Sequence, residues 1–229
     1  MPILLHLETS TTVCSVCLSE NGKIVYEVVD DKGQNHSELL GVFVQKALQE
    51  AKKQHLQLDA VAVSSGPGSY TGLRIGVSMA KGLCYGFSIP LIAINSLKIL
   101  AQGVVANHSI EHDAILCPMI DARRMEVYTA FFDARLNILK PTWAEVLHAD
   151  TFETLHDKKV YIFGNGTEKS IGIVQHPNIQ FLPHQTPFAS SMIVLAEEAF
   201  QQQQFENMAY FEPFYLKEFM TSIPKNKLA

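Results

Sequence analysis

The segment best suited to chemistry is a glycine-rich stretch, Gly66-Pro-Gly-Ser-Tyr-Thr-Gly72. Glycines at the turn from a strand into a helix leave backbone amides free, and a helix N-terminus attracts anions. The residues that would seat a phosphate or nucleotide there are Gly66, Gly68, Ser69, Thr71 and Gly72. The stretch lacks the lysine and Ser/Thr of a Walker loop. A tight turn that lets the following helix pack closely on a sheet explains the glycines equally well, so both explanations stay open.

Two carboxylates stand where apolar runs end. Glu8 follows the run at 3–7, in Glu8-Thr-Ser10, and Asp121 follows the run at 114–120. In actin-like ATPases, a carboxylate at such a strand end orients Mg²⁺ and water. Glu8 is one methylene longer than an aspartate, and strand-end hydroxyls also form ordinary turn hydrogen bonds. We therefore favour a structural role for Glu8 over ATP hydrolysis.

The nine histidines and four cysteines do not indicate a metal or redox site. His108 and His112 are four residues apart, but they lie in a polar connecting segment. Cys14-Ser-Val-Cys17 has the C-x-x-C spacing, yet it lies in a β-branched run, where residues i and i+3 point to opposite faces. No G-x-S-x-G motif marks a serine nucleophile. We predict no catalytic residue and no metal ligand in the chain.

Composition limits the classes of protein to which the chain can belong. Of 229 residues, 47% are hydrophobic and only 18% are charged, with a net charge of −5. This balance excludes a disordered chain and a mainly electrostatic nucleic-acid binder. No apolar run reaches the ~20 residues of a membrane span, and the first residues lack a signal peptide's cationic region. We expect a soluble, cytoplasmic protein, and the scarcity of charge suggests apolar surface that faces a partner.

The elements that must position these residues form two similar series. The first predicts strands at 3–7, 13–18, 23–29, 59–64 and 90–94, with helices at 37–54, 72–85 and 96–105. The second, more eroded series predicts strands at 114–120, 126–133 and 159–163, a return strand after Asn137 and a helix at 190–203. In each series, one strand ends in a carboxylate and another runs into glycines.

This internal repeat predicts an α/β fold of two tandem ribonuclease-H-like (actin-like ATPase) lobes. Each lobe would have a mixed five-stranded sheet flanked by helices. Residues 1–106 form the N-terminal, partner-binding lobe, and residues 107–229 form a degenerate second lobe whose last helix and tail return to the first.

The helix after the glycine-rich turn carries two apolar stripes, which is more than one sheet contact needs. We expect this helix and the 37–54 helix to form a surface for another protein. Burial between the sheet and a neighbouring helix is the alternative. The candidate contact residues are Leu40, Val44, Leu48, Leu73, Gly76, Val77, Met79, Ala80 and Leu83.

Several motifs together resemble one known family. The most specific is Ser65-Gly-Pro-Gly-Ser-Tyr-Thr-Gly-Leu-Arg-Ile-Gly76. Supporting motifs are Leu7-Glu-Thr-Ser10 with Cys14-Ser-Val, His36-Ser-Glu-Leu-Leu, Asp121-Ala-Arg with Glu126-Val-Tyr128, and Pro213-Phe-Tyr-Leu-Lys217. Over nearly its whole length, the chain resembles the TsaB (YeaZ) family of bacterial tRNA threonylcarbamoyladenosine synthesis, which has an M22 glycoprotease-like, actin-like fold. Two departures are Glu8 in place of Asp and Arg124-Met125 in place of Met-Gly.

The resemblance implies a non-catalytic subunit that docks the transferase TsaD and works with the ATPase TsaE. It implies that ATP and Mg²⁺ are carried by those partners, that tRNA is reached through the complex, and that the chain forms a homodimer when alone. TsaD carries a metal motif, H-x-x-x-H, after the strand that follows the glycine segment. By spacing, its two histidines correspond here to Ser96 and Leu100, and leucine cannot bind a metal. The alternatives are a stand-alone ATPase or phosphotransferase that uses Glu8, Asp121 and the Gly66–Gly72 turn, or an M22-type endopeptidase.

Overall fold

The computed structural model describes residues 2–217 except 34, 156–157, 175–176 and 183. Its first half contains β1 (Ile3–Glu8), β2 (Cys14–Glu20), β3 (Lys23–Asp30), α1 (His36–Lys53), β4 (Ala60–Gly66), α2 (Tyr70–Phe87), β5 (Leu91–Asn95) and α3 (Ser96–Asn107). Its second half contains β6 (Ile115–Asp121), β7 (Glu126–Phe132), β8 (Ile138–Val146), β9 (Val160–Phe163), α4 (Thr167–Ser170), β10 (Ile179–Leu182) and α5 (Ile193–Gln201). Short 3₁₀ turns cover Glu153–Leu155 and Ala189–Met192.

Two five-stranded sheets of matching topology form the framework. The strand order is β3-β2-β1-β4-β5 in the first sheet and β10-β9-β6-β7-β8 in the second. In the first sheet, β1 pairs antiparallel with β2 and parallel with β4. In the second, β6 pairs antiparallel with β7 and parallel with β9. The predicted pair of mixed five-stranded, ribonuclease-H-like lobes is therefore confirmed.

Helices α3 and α5 lie between the two sheets. One apolar cluster combines residues of β1, β4 and β5, both of these helices, and β6, β7 and β9. Leu97 of α3 and Phe163 of β9 are fully buried within it. A second cluster joins the opposite face of the first sheet to α1 and α2. The molecule is therefore layered, with α1 and α2 as the outer layer on the first sheet.

The segment after α5 runs back along the first sheet. Glu206 forms an antiparallel bridge with Leu91 at the edge of β5. Further on, the backbone N–H of Phe214 donates to the carbonyl oxygen of Ser65 at 2.7 Å. Met208 packs on the cluster beneath α1 and α2. This return brings residues 213–217 to the carboxyl end of β4, next to the glycine-rich turn.

Candidate functional site

The glycine-rich turn packs directly on the turn that follows β1. A Cβ atom built on Gly68 would lie 2.2 Å from the carbonyl oxygen of Ser10. One built on Gly72 would lie 2.2 Å from the carbonyl oxygen of Thr9. No side chain fits at these distances, and Gly66 has a φ of +106°, which favours glycine. The glycines thus let the start of α2 approach β1 closely.

Several backbone amides of this turn already have acceptors within the chain. Ser69 caps α2, because its side-chain oxygen accepts a hydrogen bond from the N–H of Gly72 at 3.2 Å. The N–H of Ser69 donates to the carbonyl oxygen of Ser10 at 2.7 Å. The N–H of Gly66 donates to the Oγ of Ser96 at 3.1 Å. Three amides that an anion would need are therefore engaged.

Carbonyl oxygens border the same turn. Those of Thr9 and Ser10 contact the glycines, and the carbonyl oxygen of Phe214 would lie 2.7 Å from a Cβ on Gly66. Carbonyl oxygens carry partial negative charge and repel an anion. Close packing alone accounts for the glycines, and the phosphate seat stays a prediction.

Glu8 ends β1 in a fully buried position. Its Oε1 accepts a hydrogen bond from the N–H of Ser10 at 2.6 Å, and its Oε2 has no partner among the described residues. Burial raises the pKa of Glu8 from 4.5 to about 7, while hydrogen bonds from Ser10 and Ser64 oppose that rise. The charged form that a divalent cation needs is therefore disfavoured by burial, and only part of the carboxyl population carries that charge near neutral pH.

His6 shares this environment. It lies two residues before Glu8 on the same face of β1, since alternate residues of a strand point the same way. Its Nε2 lies 2.8 Å from the Oγ of Ser19, and burial lowers its pKa to about 3. Leu4, on the same face, belongs to the cluster between the sheets. His6 and Glu8 therefore belong to the interior rather than to an exposed reaction site.

Asp121, the second strand-end carboxylate, lies in a different setting. It is exposed, and its Oδ1 pairs with the Nζ of Lys169 at 2.5 Å. Its backbone N–H donates to the side chain of Asn165 at 3.0 Å. The structure thus gives Asp121 a lysine partner, whereas Glu8 is enclosed without one.

The structure also shows what occupies the positions that correspond by spacing to a histidine metal motif. Ser96 is fully buried and accepts the amide hydrogen of Gly66. Leu100 is 1% exposed and lies in the cluster between the sheets. Among residues 2–217 as described, His, Cys, Asp and Glu do not gather in a group of three or more that could hold a metal ion.

The burial of α1 and α2 corrects the predicted contact surface. Six of the nine candidate residues are buried inside the chain: Leu40, Val44, Leu73, Gly76, Val77 and Ala80. They lie on the stripes that face the first sheet, and a Cβ on Gly76 would lie 2.3 Å from the Oγ1 of Thr9. The glycine stripe of α2 is therefore filled in part by β1 rather than by another helix. Leu48, Met79 and Leu83 are half-buried.

A narrower surface remains along the line where α1 meets α2. A Cβ on Gly41 would lie 3.9 Å from the Cε of Met79, which places the two helices side by side there. Gly82 and Gly86 are exposed, and outside the neighbouring backbone of α2 no atom of the described residues lies within 4 Å of their Cβ positions. We define the α1–α2 surface as Gly41, Leu48, Ile75, Met79, Gly82, Leu83 and Gly86. Four of these seven residues were not among the predicted contact residues: Gly41, Ile75, Gly82 and Gly86. Ile75 and Gly82 each lie one turn from Met79, which was predicted.

The described helices include none that is long and apolar enough to cross a membrane.

Comparison with known proteins gives a consistent result. Residues 24–224 match the family model described as TsaD, tRNA N6-adenosine threonylcarbamoyltransferase. The chain is 32% identical over 168 residues to the tRNA threonylcarbamoyladenosine biosynthesis protein TsaB of Bacillus subtilis, covering 72% of this chain and 71% of the relative. It is 28% identical over 232 residues to TsaB of Escherichia coli, covering 93% and 94%.

The fold has a close counterpart among solved structures. YeaZ from Pseudomonas aeruginosa superposes with a TM-score of 0.79 at 24% identity, covering 94% of this chain and 100% of that one. This likeness supports the fold. The curated relatives and the family model identify the chain as a member of the TsaB (YeaZ) family of tRNA threonylcarbamoyladenosine biosynthesis proteins.

Proposed function

We propose that this chain is a non-catalytic subunit of the tRNA threonylcarbamoyladenosine synthesis complex and docks a TsaD-type transferase through the α1–α2 surface. The observation that carries the proposal is the open space at Gly82 and Gly86, beside the half-buried Met79 and Leu83. Packed helices approach to 8–10 Å, and small residues at the contact favour such an approach. An outer helix pair with exposed glycines is therefore prepared for a second helix layer.

The kind of partner follows from the family relation. The family model that matches this chain is described by the transferase, so chain and partner are expected to share the fold and an equivalent helix pair. Two related helix pairs can pack face to face around a pseudo-twofold axis. A second copy of this chain offers the same face, which supports homodimer formation in the absence of the transferase.

Catalysis is assigned to the partners. Ser96 and Leu100 stand where metal-binding histidines would be needed, and Glu8 is enclosed, with its pKa raised by burial to about 7. These features support a subunit that neither binds the catalytic metal nor hydrolyses ATP. In this proposal, ATP and Mg²⁺ enter the complex with the transferase and with a TsaE-type ATPase.

The test is co-purification of the full chain with the transferase of the same organism. Gly82→Glu places a charged side chain in the open space, where no described residue outside the adjacent turns of α2 lies within 4 Å of its Cβ. Glutamate is also a better helix former than glycine, so the fold is retained. We expect this variant to lose the heterodimer and, by size-exclusion chromatography, the homodimer.

The matched control is Ile138→Glu, a charge placed on β8, whose side chain is 63% exposed and belongs to the second sheet. It should bind the transferase like the wild type. Equal complex formation by both variants, each folded by circular dichroism, would contradict docking through the α1–α2 surface.

A further inference from the structure

Three of the four arginines of this acidic chain lie on the two elements that the returning tail contacts, α2 in the first lobe and the turn before β7 in the second. Arg74 lies in the second turn of α2, and Arg123 and Arg124 form the turn between β6 and β7. The returning tail connects the two sites. Tyr215 packs on Tyr70 with ring centroids 4.8 Å apart, and the guanidinium of Arg74 lies 5.3 Å from the Tyr70 ring centroid.

The tail continues from there to the second lobe. Lys217 forms an ion pair with Glu126, at the start of β7. Burial raises the pKa of Tyr128, and the charges of Lys217 and Arg123 lower it, which places both cations close to that hydroxyl. We define the cleft-mouth strip as Tyr70, Arg74, Arg123, Arg124, Tyr215 and Lys217.

Lys217 is neutralised by Glu126, and the remaining positive charge of this strip belongs to its arginines. Asp121 and Glu126, the carboxylates at the same edge, are paired with Lys169 and Lys217. Within the described part of the chain, none of the arginines forms an ion pair with a carboxylate. Arg123 and Arg124 are both exposed, so their charges face solvent.

The backbone holds the two adjacent arginines in an unusual conformation. Arg123 has a φ of 68° and Arg124 a φ of 49°, both in the left-handed region that favours glycine. The N–H of Arg123 donates to the Oδ1 of Asp121 at 2.6 Å, and this bond helps to fix the turn. Long cationic side chains at strained positions, with no carboxylate partner among the described residues, indicate an external anionic ligand.

We propose that the cleft-mouth strip binds the sugar-phosphate backbone of RNA, and that the RNA is the tRNA substrate of the complex. The identification of this RNA as tRNA rests on the proposed function. Arginine is the residue best suited to phosphate, because its planar fork donates two hydrogen bonds at once. The arginines lie on two separate elements, α2 and the turn between β6 and β7. A polymer with several phosphates can reach both, and the tyrosines offer aromatic surface to exposed bases.

The test measures binding of a tRNA transcript by fluorescence anisotropy as a function of salt, for the isolated chain and for the complex with the transferase. The test variant is Arg123→Ala/Arg124→Ala. The matched control is Arg135→Ala, which removes the fourth arginine, exposed in the turn between β7 and β8. Each lost phosphate contact lowers the slope of log K against log [salt] by about 0.7–0.9.

We expect the double variant to lower the slope by about 1.5 and the affinity several-fold at low salt, while Arg135→Ala matches the wild type. Equal slopes for both variants, in the isolated chain and in the complex, would overturn the proposal. A competition experiment distinguishes RNA from an acidic protein. If polyglutamate displaces labelled tRNA as effectively as unlabelled tRNA does, at equal concentrations of negative charge, the strip binds an acidic protein and the RNA proposal is overturned. Failure of the wild type to bind the transferase refutes the proposed docking instead, since the isolated chain still reports on the strip.

Discussion

Replacing Glu8 by glutamine tests whether burial raises the pKa of this carboxyl in the folded protein. Its pKa is raised from 4.5 to about 7 by burial, so the folded protein binds a proton that the unfolded chain releases. The contribution of this proton binding to the free energy of unfolding is fully present below pH 4.5 and is lost as the pH rises through 7. The full effect is about 3 kcal/mol. Glutamine keeps an oxygen for the N–H of Ser10 and has no charge to bury, so Glu8→Gln should be more stable than the wild type at pH 8.

His6 provides the opposite dependence. Burial lowers its pKa from 6.5 to about 3, so its contribution is present above pH 6.5 and is lost as the pH falls through 3. Between pH 6.5 and 4.5, Glu8 gains protons on folding while His6 loses them, and the two effects largely cancel. In Glu8→Gln only the His6 effect remains. As the pH is lowered from 6.5 to 4.5, the free energy of unfolding of this variant should therefore fall by about 2 kcal/mol. In the wild type, the opposing effects of Glu8 and His6 should leave it nearly unchanged.

The assay is urea unfolding from pH 4.5 to 8.5, followed by the fluorescence of the single tryptophan, Trp143. Glu198→Gln, at an exposed position of α5, is the matched control and should run parallel to the wild type. If Glu8→Gln also runs parallel to the wild type, Glu8 is ionised in the folded protein. The argument against its role as a cation ligand then fails.

Three further predictions follow from packing. Gly72→Ala should destabilise the fold by roughly 2–4 kcal/mol in urea titrations, because its Cβ would meet the Thr9 carbonyl, whereas Gly86→Ala should stabilise it by up to about 1 kcal/mol. Leu100→Ala should cost about 2–5 kcal/mol, because it leaves a cavity between the sheets, while Leu139→Ala, at a 51% exposed position, should cost much less. Burial raises the pKa of all four cysteine thiols, so none should react with a disulfide reagent at pH 8 until urea unfolds the chain. These thiols are Cys14, Cys17, Cys84 and Cys117.

The fold could be predicted because its local signals agree with its topology. Asn21 and Gly22 have φ values of 54° and 73°, which suit the tight hairpin that their sequence indicates. The apolar runs and the repeated carboxylate and glycine signals located most strands of both sheets. The strand β10 (Ile179–Leu182) was missed, because it contains Gln180 and buries only Leu182, whereas the equally short β9 is a continuous buried apolar run.

The candidate surface was only partly predictable. Apolar periodicity shows that a helix face is buried, but it does not show whether a sheet or a partner covers it. Val77 and Leu83 are both apolar residues of α2 at helical spacing. Val77 is buried in the cluster on the first sheet, whereas Leu83 is only half-buried at the edge of that cluster. The sequence likewise did not indicate the cleft-mouth strip. The contacts of Tyr215 with Tyr70 and of Lys217 with Glu126 depend on the path of the tail in the folded chain, which local sequence patterns do not indicate.

The central claim is that the chain serves the complex by docking and not by catalysis. It is tested most directly by threonylcarbamoyl transfer to tRNA in a complex reconstituted from the full chain, the transferase and the ATPase. Two variants separate the possibilities: Gly82→Glu disrupts the α1–α2 surface, and Glu8→Gln removes the carboxylate that an ATPase would require. The account predicts that Gly82→Glu abolishes transfer and that Glu8→Gln retains it. Full activity of Gly82→Glu together with loss of activity in Glu8→Gln would contradict it.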